Sequence, residues 1–351
     1  MDIIMDTPRI NITQECLKLV AEIDEFKGKW QALRTLASDQ LQAMKKVATV
    51  ESVGSSTRIE GAKLSDSEVE ALLIGLSITR LHSRDEEEVA GYAECMEMIF
   101  FSYGEIRIDE NHIKQLHQTL LRHVSKDVRH RGKYKKHSNH VEAFDQDGKS
   151  MGVVFETATP FDTPRLMTSL VAWFQCEVRK REMHPLLSIA VFIVHFLAIH
   201  PFQDGNGRLS RVLTTLLLLQ AGYQYVPYCS LERIIEANKE QYYLALRRSQ
   251  QTLYTDNSAI MEWITFFLRS LRSQVAGLEQ KIQNEEKLNA LAPLSATLFG
   301  LARERGTLTV REAVALTEAN RNTIKLHLRK LANRGFLRQE GTGKGTRYRI
   351  A

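Results

Sequence analysis

Twelve consecutive residues, His200 to Arg211 (HPFQDGNGRLSR), combine an imidazole, a carboxylate, a glycine-rich turn and two guanidinium groups. Together they could deprotonate a hydroxyl, hold a metal ion and wrap a polyphosphate. His200 precedes Pro201, which ends a helix and turns the ring toward the loop. An imidazole titrates near neutral pH, which suits a general base. Asp204 is a natural ligand for a hard cation, since Mg²⁺ is commonly held by one carboxylate plus phosphate oxygens. Gly205 and Gly207 let backbone N–H groups approach an anion closely, and a helix N-terminus adds unpaired donors. Arg208 and Arg211 lie three apart, on one helix face. Cations in a first helical turn oppose the macrodipole, a mismatch that a bound anion would relieve. The plainer alternative is a pair of solvated arginines on an ordinary helical hairpin.

These residues must be positioned by the segments around them. Leu186 to Ile199 is almost wholly apolar and reads as a buried helix running into the loop. LSRVLTTLLLLQAG reads as a second buried helix with Gly222 as its C-terminal cap. Asp204 to Gly207 is the tight turn between them. A second segment, Ser56 to Gly61 (STRIEG), closes a helix that begins near Gln40, with Gly61 at the cap. SDSE, from Ser65 to Glu68, is a capping box for the next helix. Glu60 then sits near a helix C-terminus, again the wrong sign for the dipole. Pairing this acid with one of the loop arginines would satisfy both, although a solvated glutamate is the commoner case.

HPFQDGNGRLSR matches the Fic family signature HxFx(D/E)GNGRxxR at every fixed position, and the chain resembles Fic proteins on that ground. The resemblance implies a nucleotidyltransferase that moves AMP from ATP to a protein hydroxyl. Relatives that transfer phosphate or phosphocholine depart at the acidic position or the glycines, whereas Asp204, Gly205 and Gly207 are all retained here. By the resemblance His200 is the base and Asp204 holds Mg²⁺. The backbone from Asp204 to Gly207, with Asn206, cradles the phosphates, and Arg208 and Arg211 grip the outer ones. STRIEG is similar to the family's inhibitory motif (S/T)xxxE(G/N), with Ser56, Glu60 and Gly61 at its fixed positions. There the glutamate pairs with the second arginine, here Arg211, and blocks the productive pose of the γ-phosphate. In some relatives the same glutamate positions a water that removes AMP from a modified target, and that activity stays open for Glu60.

Two further matches are carried by fewer residues. HVEAF, DQDGK and MGVVFET, within Tyr134 to Thr159, read as two strands around an Asp-Gly turn. The family has a β-hairpin flap there that presents the target as an added strand. Val154, Phe155, Glu156 and Thr157 match the flap strand beside the nucleotide, and Lys135 stands where an arginine is often found. Tyr242 and Gln250 match adenine-pocket positions, while a core tyrosine with its hydroxyl satisfied is an equal alternative.

The expected architecture is mainly α: a Fic-type helical core with a β-hairpin flap, plus a C-terminal winged helix-turn-helix. Boundaries are expected at 1–105 for the helical region with the inhibitory motif, 106–270 for the core, 271–290 for a linking helix and 291–351 for the terminal module. The chain has 351 residues and a net charge of +5. Residues 291–351 hold twelve Lys and Arg against four Asp and Glu, a balance of +8, so the rest is near −3. A basic module of this kind suggests an anionic partner. Asn320 to Arg334 would be its third helix and Phe336 to Ile350 its wing, with Lys344 and Arg347 near the GTGKG tip. Arg321, Asn322, Thr323 and Lys325 fall where DNA contacts would, while use for protein contacts is the competing reading. A DNA-binding regulator with the core as a nucleotide sensor is the second function class. No apolar run reaches a membrane span, MDIIMDTPRI lacks a signal-peptide pattern, and Cys16, Cys95, Cys176 and Cys229 show no metal spacing. A cytoplasmic protein with free thiols is expected, with ATP, a protein target and a second copy of itself as partners.

Overall fold

The computed structural model describes residues 10–32, 38–75, 81–144, 150–253, 255, 258–289 and 291–350. The chain divides into two compact units, Met1–Gly277 and Leu278–Ala351.

The first unit is helical apart from one hairpin. Its elements are α1 (Gln14–Ala32), α2 (Ser38–Ile59), α3 (Asp66–Gly75), α4 (Arg84–Ser102), α5 (Glu110–Leu120), β1 (His140–Phe144), β2 (Ser150–Glu156), α6 (Thr163–Lys180), α7 (Pro185–Ile199), α8 (Asn206–Gln220), α9 (Leu231–Ala237), α10 (Lys239–Gln251) and the start of α11 (Ile260–Asn289). α7 carries apolar residues all round, so it must be central, and every residue from Leu186 to Ile199 is buried. Pro185 opens it at the first helical position, where a missing N–H costs nothing. α8 folds back against α7 and is almost as buried. α2, α4, α5, α6 and α10 pack around this hairpin, and the Trp263 Nε1–H donates to the Ala190 carbonyl (2.8 Å), tying α11 to α7.

The expected caps form. Gly222 has φ +88°, and the Tyr223 and Gly222 N–H groups donate to Leu218 and Leu219, closing the end of α8. The same pattern ends α2: Gly61 has φ +104°, Ala62 N–H donates to Thr57 and Gly61 N–H to Arg58. At the start of α3, Glu68 accepts from the Ser65 N–H (2.8 Å) while Ser65 Oγ faces the Glu68 N–H (3.4 Å). β1 and β2 pair antiparallel, with His140 opposite Glu156 and Val141 opposite Phe155. The Asp-Gly turn between them lies outside the described residues.

The second unit contains α12 (Pro293–Arg305), β3 (Thr307–Thr309), α13 (Val310–Thr317), α14 (Arg321–Asn333), β4 (Leu337–Glu340) and β5 (Arg347–Ile350). The strands form one antiparallel sheet in the order β3-β5-β4. Leu298, Leu308, Ile324, Leu328, Leu331 and Tyr348 are central to its core. Among the described residues no helix is long and apolar enough to cross a membrane.

Candidate active site

α7 ends by placing His200 in the left-handed region, at φ +51° and ψ 60°, with its N–H bonded to Phe196 O (2.9 Å). A side chain with a Cβ adopts this conformation at a cost, and here it swings the imidazole out of the helix. His200 Nδ1 lies 3.4 Å from the Leu197 carbonyl. A proton on Nδ1 leaves the Nε2 lone pair free. Burial and the nearby Lys135 ammonium push the imidazole down to about 4, so it is neutral at pH 7. Lys135 is itself buried, and its Nζ donates to Asn139 Oδ1 (2.9 Å), Thr157 Oγ1 (2.8 Å) and the Ile199 carbonyl (3.1 Å). It therefore fastens both legs of the hairpin to the end of α7, and burial pushes its ammonium down to about 8.

The loop between the two central helices is pinned from both sides. Asn206 Oδ1 accepts the Phe202 N–H (2.9 Å) while its Nδ2 donates to the Phe202 carbonyl (2.8 Å). Its side chain thus shapes the turn by closing it onto Phe202. The turn is also tighter than expected. Gly205 supplies the positive φ (+78°), and Asn206 and Gly207 already belong to the first turn of α8. Gly205 at the N-cap offers that helix no side-chain cap, and uncapped leading N–H groups are potential anion donors.

His117, on α5, is a site residue the sequence reading missed. The Gly132 N–H donates to its Nδ1 (2.9 Å), which puts the proton on Nε2, and Nε2 donates to the Asp204 carbonyl (3.0 Å). Its ring stacks on Phe202 at 3.8 Å and 10°, and burial pushes it down to about 4. Its position on the apolar face of α5, among Ile113, Leu116 and Leu120, looks from sequence like that of any core histidine.

Both Asp204 oxygens are engaged. Oδ1 accepts the Gly205 N–H (2.7 Å), and Oδ2 meets Arg84 (2.8 Å) and Arg208 (3.2 Å). Burial alone would raise its carboxyl, but Arg208, the Gly205 N–H and Arg84 together hold it below the usual range. Arg208 is buried and also pairs with Glu88 on α4 (2.9 Å), which accepts from Arg84 Nε (2.8 Å). Arg84 and Glu88 look from sequence like solvated charges at a helix start. Their i, i+4 spacing was the one available signal.

Arg211 is buried on the other flank. Its Nε donates to Ser56 Oγ (2.8 Å), and Nη2 donates to the Ser56 carbonyl (2.9 Å) and to Glu60 Oε1 (2.7 Å). The two arginines therefore diverge, Arg208 toward α4 and Arg211 toward α2, and neither is solvated. Glu60 also rests against Gly207, where a Cβ would collide with its carboxylate. Gly207 is needed here for close approach, not for an unusual φ. Tyr242 is buried in an aromatic group with Trp263 (5.9 Å) and Phe266 (5.9 Å), with its hydroxyl toward Arg211 and Ser210.

His200, Asp204 to Arg208, Arg211, Ser56, Glu60 and Tyr242 thus form one cluster. Gln250 is buried two turns beyond Tyr242 and, among the described residues, makes no side-chain hydrogen bond to it. Glu156 is exposed and Thr157 is held by Lys135, while the Val154 and Phe155 side chains lie outside the described residues.

Residues 107–218 match the Fic/DOC family model. Among curated proteins the chain is 27% identical over 234 residues to a protein adenylyltransferase Fic from Drosophila mojavensis, covering 66% of this chain and 42% of that one. It is 29% identical over 203 residues to the protein of the same name from Drosophila virilis, covering 57% and 39%. The chain thus spans less than half the length of these relatives. A solved Fic family protein from Desulfovibrio desulfuricans G20 shares the fold across 99% of this chain and 98% of its own, with a TM-score of 0.63 and 22% identity. A Fic domain containing signaling protein from Bacteroides thetaiotaomicron VPI-5482 aligns over 73% and 94%, with a TM-score of 0.58 and 26% identity. Residues 107–218 are thus similar to the Fic/DOC family, and the chain shares its fold with solved Fic proteins.

Proposed function

We propose that the protein transfers AMP from ATP to a hydroxyl side chain of a protein target, and that Glu60 holds it in a self-inhibited state. The observation that carries this reading is a neutral imidazole beside an uncapped, arginine-bearing helix N-terminus. In this reading His200 Nε2 takes the proton of the target hydroxyl. The freed oxygen attacks the α-phosphorus, a new P–O bond forms, and the bond from that phosphorus to the α–β bridging oxygen breaks, releasing diphosphate. The leading N–H groups of α8, with Arg208 and Arg211, neutralise the phosphate charge. Tyr242 and Gln250 are the adenine-side residues, and the strand from Val154 to Thr157 lies beside the nucleotide and the target.

Asp204 fits Mg²⁺: it is an ionised carboxylate, partly exposed, beside a site for phosphate oxygens that would complete the coordination. Bound there, the ion would supply charge neutralisation across the phosphates. The four cysteines are free thiols, which accords with a cytoplasmic setting.

Glu60 acts as an internal anion. Its carboxylate occupies Arg211 and covers Gly207, the surface on which the outer phosphates of ATP would rest. The test is incorporation of radiolabel from ATP marked on the α-phosphate, in the presence of Mg²⁺ and cell lysate. The wild type should label weakly, Glu60→Gly strongly, and Glu60→Gly with His200→Ala not at all. Absence of labelling by Glu60→Gly would defeat the reading. Residues 291–351, which this chemistry does not use, serve an anionic partner.

A further inference from the structure

We propose that the second unit is a duplex-DNA binding module, with α14 as the helix that enters the major groove. This deepens the reading of an anionic partner and is independent of the AMP-transfer chemistry. Three features of the unit carry it.

The first is topology. α13 and α14 are joined by a three-residue turn: Glu318 at φ +55° ends α13, and Asn320 Oδ1 caps α14 by accepting the Asn322 N–H (2.8 Å). α12 and α13 pack against α14, and β5 closes the sheet between β3 and β4. This is a helix-turn-helix followed by a hairpin wing, in which the second helix of the pair is the reading helix.

The second is the face α14 presents. Ile324, Leu328 and Leu331 are buried, and the face beside this stripe is exposed. That face carries Arg321, Lys325 and Arg329 at i, i+4 and i+8, all exposed, with exposed Asn322 and Thr323 beside them and no acid in the helix. Like charges at this spacing repel by a few tenths of a kcal/mol each, and Arg321 also opposes the dipole. Among the described residues from 291 to 350, no Lys or Arg forms an ion pair with a carboxylate.

The third is the wing, an independent placement of the same kind. Arg338 on β4 and Arg349 on β5 lie directly opposite each other and are both exposed. Facing like charges destabilise a strand pair. Two surfaces of one small unit therefore hold cations in mutually repulsive positions, which a polyanion of fixed spacing would relieve. Arg and Asn at the start of the helix add the donor sets that read guanine and adenine edges. A protein partner would more often call for an exposed apolar centre, and on α14 only Leu326 is a large exposed apolar residue.

The experiment is fluorescence anisotropy of the full-length protein with a labelled mixed-sequence DNA duplex, across about 50 to 200 mM salt. Binding is expected at the low end, with log affinity falling linearly against log salt at about −0.9 per phosphate contacted. Arg321→Ala with Lys325→Ala should weaken binding at least tenfold and flatten the slope by about two contacts. Arg338→Ala with Arg349→Ala should flatten it similarly. Both variants should melt no lower than the wild type and, combined with Glu60→Gly, keep its labelling, which separates failure here from failure of the catalytic reading. No retention on DNA at the lowest salt would overturn the proposal in favour of a protein contact. Unchanged affinity and slope in both variants would also overturn it. Equal affinity for duplex RNA would overturn the major-groove assignment, since that groove is too narrow in RNA.

Discussion

α8 and α14 both carry two cations within their first two turns, Arg208 and Arg321 in the first turn where the helix dipole disfavours them, and the protein treats the two sets in opposite ways. Arg208 and Arg211 are 2% and 3% exposed, and each has a carboxylate of this chain against it, Glu88 with Asp204 in one case and Glu60 in the other. Arg321 and Lys325 are exposed, and among the described residues neither forms a salt bridge with a carboxylate. A mismatched cation can be neutralised by the fold itself or left for an outside anion. In the proposed reading the first solution makes a switch, because an incoming anion would have to displace an internal one. The second makes a docking surface, because nothing has to leave.

The largest expected effect tests whether the α8 loop is chemical at all. In a Glu60→Gly background, His200→Ala should lower the rate of AMP transfer by about 10²- to 10⁴-fold, the usual contribution of a general base. Quantified radiolabel in a fixed protein substrate reads this directly. With the imidazole held near 4, labelling should stay flat through neutral pH and fall only in acid, as His200 takes up its proton. A rate insensitive to His200 would leave the loop as a binding surface, like α14.

Next in size is the internal anion. Glu60→Gly should raise labelling at least tenfold, about 1.4 kcal/mol of released competition. It should also lower the melting temperature, because Arg211 stays buried without its carboxylate. ATP with Mg²⁺ should raise that temperature more in the variant than in the wild type, since ligand binding is no longer opposed. Equal shifts in both proteins would mean that Glu60 and nucleotide do not compete.

Acid sharpens the contrast through histidines that the first unit buries. His117 and His195 are both pushed down to about 4 by burial, against about 6.5 in the unfolded chain. As pH falls below 6.5 the unfolded chain binds protons that the folded one refuses, so stability drops. The slope should approach about 1.4 kcal/mol per pH unit for each histidine and level off below 4. Urea unfolding at stepped pH measures it, and His195→Gln should remove one histidine's share. A slope unchanged by that substitution would refute the assignment.

How much of this was legible in the sequence differs along the same divide. The loop from His200 to Arg211 is contiguous, so the chemistry proposed for it could be read from a dozen residues. Glu60 was legible because its cap, Gly61, and its sign against the dipole both mark the end of α2. The α14 cations were legible because residues 291–351 carry a balance of +8 and these positions fall at the start of the third helix of the pattern. Arg84, which reaches Asp204 across 120 residues, and His117, across 87, were not. Their roles come from the packing of α4 and α5 against the loop, and local pattern carries no trace of it. The bonds of Asn206 are illegible for a related reason: its amide satisfies Phe202 four residues back, and only the folded turn shows the two in reach.

Gly207 offers a finer test of the packed side. A Cβ there would meet the Glu60 carboxylate, so Gly207→Ala should cost about 1 to 3 kcal/mol in the wild type. In Glu60→Gly the same substitution has nothing to strike, and most of the cost should vanish. A double-mutant cycle on urea unfolding gives the coupling, which should be at least about 1 kcal/mol. Additive effects would show that the contact carries no energy.

The smallest effect is expected on α14, and its smallness is the point. Arg321→Ala with Lys325→Ala should change unfolding free energy by no more than about 0.5 kcal/mol, as for other surface substitutions. The sign should favour the variant, because one repulsive i, i+4 pair is removed and alanine is the better helix former. The gain should grow as salt is lowered, since screening of the repulsion then weakens. Arg211→Ala in α8 should instead cost several kcal/mol, as a buried hydrogen-bonded charge is lost from Ser56 and Glu60. If the α14 variant lost more than about 1 kcal/mol, its cations would have an internal partner after all. The two helices would then be solving the same problem in the same way.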